Sequence, residues 1–247
     1  MPVVGTRQSP IELHTKKALF LADPGALLRI NYPNRAYPGH FKGDQPGHGH
    51  FDLDAPSRGS PALPTVTFRK DVFELRSVHI HFGAEHSIDH DPKKPDDGLF
   101  EVHLVHALKG NDLNGPKVVI GILYHPTGDS PSGGGLEALD MILKARAEFM
   151  MTTGRSKKPK DEPTPSINPL HFFPHLRGTK RHDLINWFHY EGSLTSEPYS
   201  EDVSWFVMRT KSRIRKGELV DLEGEAKQTA RKPHALDSRI VVRSFKD

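Results

Sequence analysis

Two histidines one residue apart, His79 and His81 in "SVHIHFGAEHSID", and a third, His103 in "FEVHLVH", are the residues of this 247-residue chain best suited to chemistry. Side chains alternate along a strand, so Ser77, His79 and His81 share one face while Val78, Ile80 and Phe82 share the other. The second stretch sets Glu101, His103 and Val105 on one face and Val102, Leu104 and His106 opposite. Two neighbouring strands of this kind can offer three imidazoles to one point. Three neutral imidazoles with a fourth position left open are the donor set of a catalytic zinc site. Glu101, two residues before His103 on its face, can accept the second ring N–H and fix the tautomer. A lone His-x-His is more often a surface pair on an edge strand, and the added Glu-x-His strand brings the two readings level.

Composition narrows the chemistry. The chain has no cysteine, which rules out a disulfide, a thiolate ligand and a cysteine nucleophile, so a zinc site here must use His, Asp or Glu. With 34 basic and 31 acidic residues the net charge is only +3, too thin an excess to imply a nucleic-acid partner. No apolar run approaches the roughly 18 residues that span a bilayer, so no membrane insertion is expected. Met1 leads into "PVVGTRQSPIEL" without a charged and then apolar leader. A cytoplasmic location is therefore favoured, with a periplasmic or secreted one if a leader has been removed. Most other histidines, among them His14, His125, His171, His182 and His234, read as surface or packing groups. His86 and His106 read as buried and hydrogen-bonded.

The elements that must position these residues are mostly strands. "LRINY", "GHFDLD", "TVTF", "VFELRSVHIHF", "LFEVHLVHAL", "KVVIGILYH", "WFVMRT" and "SRIVVRSF" are rich in Val, Ile and Phe and are separated by Gly, Pro, Asn and Asp. Residues 136–150 carry Leu136, Leu139, Leu143, Ala147 and Met150 at helical spacing. The proline-rich, charged stretch 154–169 reads as a surface loop. No internal repeat is visible. The expected architecture is mainly β (α+β): one domain over residues 1–247, built on a large, mostly antiparallel twisted sheet with a few peripheral helices.

Taken in order, "GTRQSPIEL", "SVHIHFGAEHSID", "FEVHLVH", "GSLTSEPYSEDVSWFV" and "RKPHALDSRIVVRSF" resemble the α-class carbonic anhydrases. The resemblance covers nearly the whole chain and is weakest over residues 20–70 and 125–180. It implies the zinc-dependent reversible hydration of carbon dioxide to bicarbonate and a proton, by attack of a zinc-bound hydroxide. Zinc would be held by His79, His81 and His103, with Glu101 supporting His103. Thr195 would orient the hydroxide and Glu85 would accept the Thr195 proton. Val105, Val119, Leu194, Val203 and Trp205 would line the carbon dioxide pocket. The resemblance implies a monomer or homodimer, and the alternative it leaves is a non-catalytic binding module on the same fold.

The chain departs from the family pattern in several places. Ser77 stands where the family commonly has glutamine, which alters the hydrogen bond to the first ligand. Glu197 replaces a usual proline after Thr195, and the cysteines typical of secreted members are missing. The family's proton-shuttling histidine lies in a Gly-His-x-Phe stretch, and "PGHGHFDLD" is the comparable segment. Its alignment on Phe51 sets Gly49 at the shuttle position, flanked by His48 and His50. His50 is preferred, with His48 beside it and His40 in "YPGHFKG" third.

Overall fold

The computed structural model describes residues 5–42, 49–57, 59, 61–91, 100–127, 165–176, 178–215 and 230–246. The first strands are β1 (Glu12–Leu13), β2 (Leu19–Phe20), β3 (Leu28–Asn31), β4 (Tyr37–Lys42), β5 (Gly49–Leu53) and β6 (Thr65–Phe68). The centre of the chain supplies β7 (Asp71–Phe82), β8 (Ser87–Ile88), β9 (Phe100–Leu108), β10 (Lys117–Thr127) and β11 (Ser166–Ile167). The rest are β12 (Trp187–Gly192), β13 (Val203–Met208), β14 (Ser212–Arg215) and β15 (Val242–Arg243). Helical structure among the described residues is one α-helical turn, Pro24–Leu27, and one 3-10 turn, Pro169–Phe172. The expected helix over 136–150 and most of the expected loop over 154–169 lie outside the described residues.

Among the described residues, thirteen strands form one mixed sheet whose main path runs β11-β4-β5-β7-β9-β10-β13-β12-β15-β2. Most pairings are antiparallel, as expected from the sequence, but β13 and β14 pair with β10 in parallel and β2 pairs with β15 in parallel. Strands β12 and β4 were not among the runs expected from sequence. The first follows a polar loop and runs straight into "GSLTS", and the second contains Pro38 and Gly39, residues that ordinarily mark a turn.

Alternation along the central strands feeds two separate apolar clusters, one on each face. Val78, Ile80, Val102, Leu104, Val118, Ile120 and Ile122 belong to the first. Val105, Val119, Leu123, Val203, Trp205 and Val207 belong to the second. Because both faces are covered, every residue of β9 except its last is buried. Each such aliphatic side chain taken from water stabilises the fold by about 1.5–3 kcal/mol, and it also holds its polar neighbours to the opposite face.

The register of β7 contains an irregularity between Leu75 and Ser77. Strict alternation would put Phe73 and Leu75 on the face of Ser77 and His79. The extra residue, Arg76, resets the parity, so Phe73 and Leu75 pack in the same cluster as Val78 and Ile80. The histidine face of the strand therefore begins at Ser77.

Candidate metal centre

Strands β7 and β9 bring the three histidines together by direct pairing. His79 lies opposite His103, His81 opposite Glu101 and Ser77 opposite Val105. The three rings are buried, with His79 8%, His81 0% and His103 1% exposed. They form a group whose ligand atoms lie within 4.8 Å of one another. His103 Nδ1 is 3.2 Å from His79 Nε2, close to the edge of about 3.3 Å of a nitrogen tetrahedron around zinc. His81 turns its Nδ1 to Glu85 Oε1 at 3.3 Å, which leaves Nε2 for a ligand. The donor set therefore fits a tetrahedral ion with one position to spare.

Glu101 organises the rings from behind. Its Oε1 is 3.1 Å from His103 Nε2 and 2.7 Å from His86 Nδ1. Its Oε2 accepts the backbone N–H groups of Glu85 and His86 at 3.0 and 2.8 Å. Burial pushes the carboxyl up, yet the His86 and His103 rings and their hydrogen bonds outweigh it and hold Glu101 well below the usual carboxylate range. This carboxylate is ionised and fixes His103 with Nδ1 turned to the centre.

Glycine makes room for it. Gly121 on β10 pairs with His103, and a Cβ there would come within 2.6 Å of Glu101 Oε1. The signal was present in "KVVIGIL", since a glycine inside a strand often marks a close approach. His86 also belongs to this network, as expected for a buried, hydrogen-bonded ring. Its Nε2 meets the Tyr190 hydroxyl at 2.7 Å, and Tyr190 donates to Ser9 Oγ at 2.9 Å. His86, Glu101 and His103 form a second potential metal group, but both nitrogens of His86 are already engaged. His106 faces the opposite cluster, between the Tyr32 hydroxyl at 2.6 Å and the Val118 carbonyl at 2.9 Å.

Thr195 and Glu85 meet beside the histidines, both buried at 7% and 1% exposure. Burial raises the Glu85 carboxyl above its ordinary value, while His103, the Arg231 N–H and the Thr195 hydroxyl pull it back. The Arg231 N–H reaches Glu85 Oε1 at 2.9 Å from 146 residues away in sequence. Nothing local in "RKPHALD" announces that contact. The loop that carries Thr195 is tied at Ser193, whose carbonyl accepts the Trp205 indole N–H at 2.9 Å.

The expected pocket residues collect on one side of the rings. Val119 pairs with Val105 on β9 and with Trp205 on β13. Val105, Val119, Val203 and Trp205 share one buried cluster, with Leu194 packed against it. The Trp205 ring centroid is 4.8 Å from that of His103. Ser77 is 3% exposed, and among the described residues its Oγ meets no hydrogen-bond partner.

Of the two shuttle candidates, His48 lies outside the described residues. His50 pairs with His79 across β5 and β7 and stacks on it, with centroids 4.7 Å apart and planes 12° apart. His40 lies away from the rings, with Nδ1 3.1 Å from Asp54 Oδ1.

Comparison with known proteins agrees with the fold. The family model for eukaryotic-type carbonic anhydrase matches residues 2–245. The chain is 28% identical over 265 residues to carbonic anhydrase 3 of Sus scrofa, covering 98% of this chain and 91% of that protein. It is 25% identical over 228 residues to carbonic anhydrase 6 of Mus musculus, covering 89% of this chain and 65% of the mouse protein. Carbonic anhydrase Cah3 from Chlamydomonas reinhardtii, solved in complex with acetazolamide, superposes with a TM-score of 0.68 at 24% identity over 98% of this chain and 92% of that one. The chain belongs to the eukaryotic-type, or α-class, carbonic anhydrase family.

Proposed function

We propose that the protein is a zinc lyase that interconverts carbon dioxide and bicarbonate, with residues 1–247 acting as one domain. The observation that carries this reading is the convergence of three buried imidazoles, His79, His81 and His103, beside an apolar wall. These three residues would hold zinc, which supplies a Lewis acid able to make water nucleophilic near neutral pH.

The chain's own residues supply position and direction. Glu101 keeps the His103 tautomer that turns Nδ1 inward. The Thr195 hydroxyl donates its hydrogen bond to Glu85, so the Thr195 oxygen is left to accept a hydrogen bond from the attacking water and fix its orientation. Val105, Val119, Leu194, Val203 and Trp205 form a surface suited to an uncharged substrate that has weak hydrogen-bonding handles, and they give an anionic product little to hold. His50, half-buried and stacked on His79, is the favoured relay of the released proton, with His48 beside it in sequence. A histidine suits that task because its ordinary pKa near 6.5 lets it load and unload at neutral pH.

The test is the carbon dioxide hydration rate of the zinc-loaded chain, measured again after chelation and after zinc is restored. A rate that disappears with the metal and returns with it is expected. A zinc-loaded chain with no rate above buffer would assign the fold to a non-catalytic binding module.

A further inference from the structure

Among the described residues five large apolar side chains stand out into solvent: Leu19, Phe20, Val72, Ile185 and Ile240. All but Val72 belong to one edge of the sheet. Strand β2 ends the strand order, with Leu19 opposite Val242 and Phe20 opposite Arg243. Leu19 and Ile240 line one recess together with Lys17. Ile185 adjoins the same edge, its carbonyl accepting the Ser244 hydroxyl at 2.6 Å. Exposures of 59%, 60% and 66% leave more than half of Leu19, Ile185 and Ile240 in water, and Phe20 beside them is 44% exposed, which a lone edge does not require.

Cations frame these side chains. Lys16 and Lys17 precede Leu19 and are exposed. Lys246 Nζ lies 5.9 Å from the Phe20 ring, and Arg209 stacks 4.2 Å over Phe245 while donating to the Lys246 carbonyl. Of the acidic groups nearby, Glu12 faces His14 at 3.7 Å and both oxygens of Asp89 take donors from Thr15, while Asp23 is exposed.

We propose that this edge docks onto bilayers rich in anionic headgroups, with the four apolar side chains entering the interface and Lys16, Lys17, Arg209 and Lys246 meeting lipid phosphates. A second copy fits less well, since face-to-face contact would set these four cations against themselves. A peptide strand fits less well too, because β2 is two residues long and offers few backbone partners. The face is independent of the metal reading. It lies five strands from β9, about 24 Å along the sheet at the usual strand spacing.

The experiment is co-sedimentation of the full chain with vesicles of phosphatidylcholine alone and of phosphatidylcholine containing about 30% phosphatidylserine, an anionic content that raises attraction for surface lysines. Binding to the anionic vesicles only is expected, with loss near 1 M salt, where the screening length falls to about 3 Å. Lys16→Gln with Lys17→Gln should weaken partitioning roughly 30-fold, about fivefold for each lysine. Leu19→Ser with Ile240→Ser should weaken it without changing the thermal melt, which separates a lost contact from a lost fold. Three results would overturn the proposal: no binding to anionic vesicles, equal binding to neutral ones, or equal binding to soluble polyglutamate. A concentration-dependent dimer that Leu19→Ser with Ile240→Ser abolishes would assign the face to a second copy instead.

Discussion

His106→Gln should flatten the acid side of the stability profile. The His106 ring is fully buried, takes the Tyr32 hydroxyl at one nitrogen and donates to the Val118 carbonyl from the other. Burial is the largest influence and lowers its pKa from 6.5 to about 4. The unfolded chain therefore binds a proton at this residue between pH 6.5 and 4 while the folded chain does not. The corresponding stability is present in full above pH 6.5 and is lost as pH falls toward 4. A difference of roughly 2.5 units at 1.36 kcal/mol each corresponds to about 3 kcal/mol, or roughly 6–12 °C of melting temperature for a chain of this length. Glutamine offers one donor and one acceptor at similar reach but does not titrate. Thermal melts of the metal-free protein and of the variant, taken from pH 7.5 to 4, isolate this group, since the other histidines are common to both. The wild type should lose that much more than the variant over this interval. Parallel profiles would refute the argument that His106 is held neutral by burial.

Other outcomes follow from the metal centre. Thr195→Ala should keep zinc and lose about a hundredfold or more in hydration rate, the usual effect of removing one positioned polar group from an active site. An unchanged rate at normal zinc content would reduce "GSLTS" to a turn. Glu101→Gln should weaken zinc binding about 10–100-fold in a competition titration, and Gly121→Ala should act in the same direction by driving the carboxylate off His103. Unaltered affinity in both would deny Glu101 its positioning role. Replacing His48 and His50 together by alanine should slow turnover in weak buffer, with recovery on adding imidazole. Wild-type turnover in weak buffer would send the proton by another route.

The geometry of the three-histidine centre was legible because period-two alternation is a local property. His79 and His81 had to share a face, and Glu101 and His103 had to share another. Their meeting needed only that β7 and β9 pair in the observed register. The irregularity at Arg76 was legible but went unread: in "VFELRSVHIHF" apolar residues stand at 73 and 75 and then at 78, 80 and 82, so the parity breaks across the two polar residues Arg76 and Ser77, where the register shifts. Strand β12 was missed because "WFHYEG" mixes aromatic with polar residues and its burial comes from apolar clusters on both faces, with Trp187 in one and Phe188 and Tyr190 in the other. The Arg231 contact with Glu85 is of the same kind. It depends on how the chain's ends return to the sheet, and no short stretch records that.

The most direct test of the central claim is a zinc-edge anomalous difference map from crystals of the zinc-loaded chain. A single strong peak among His79, His81 and His103, absent in His103→Ala, is the expected result. A peak elsewhere, or none among these three rings, would contradict the account.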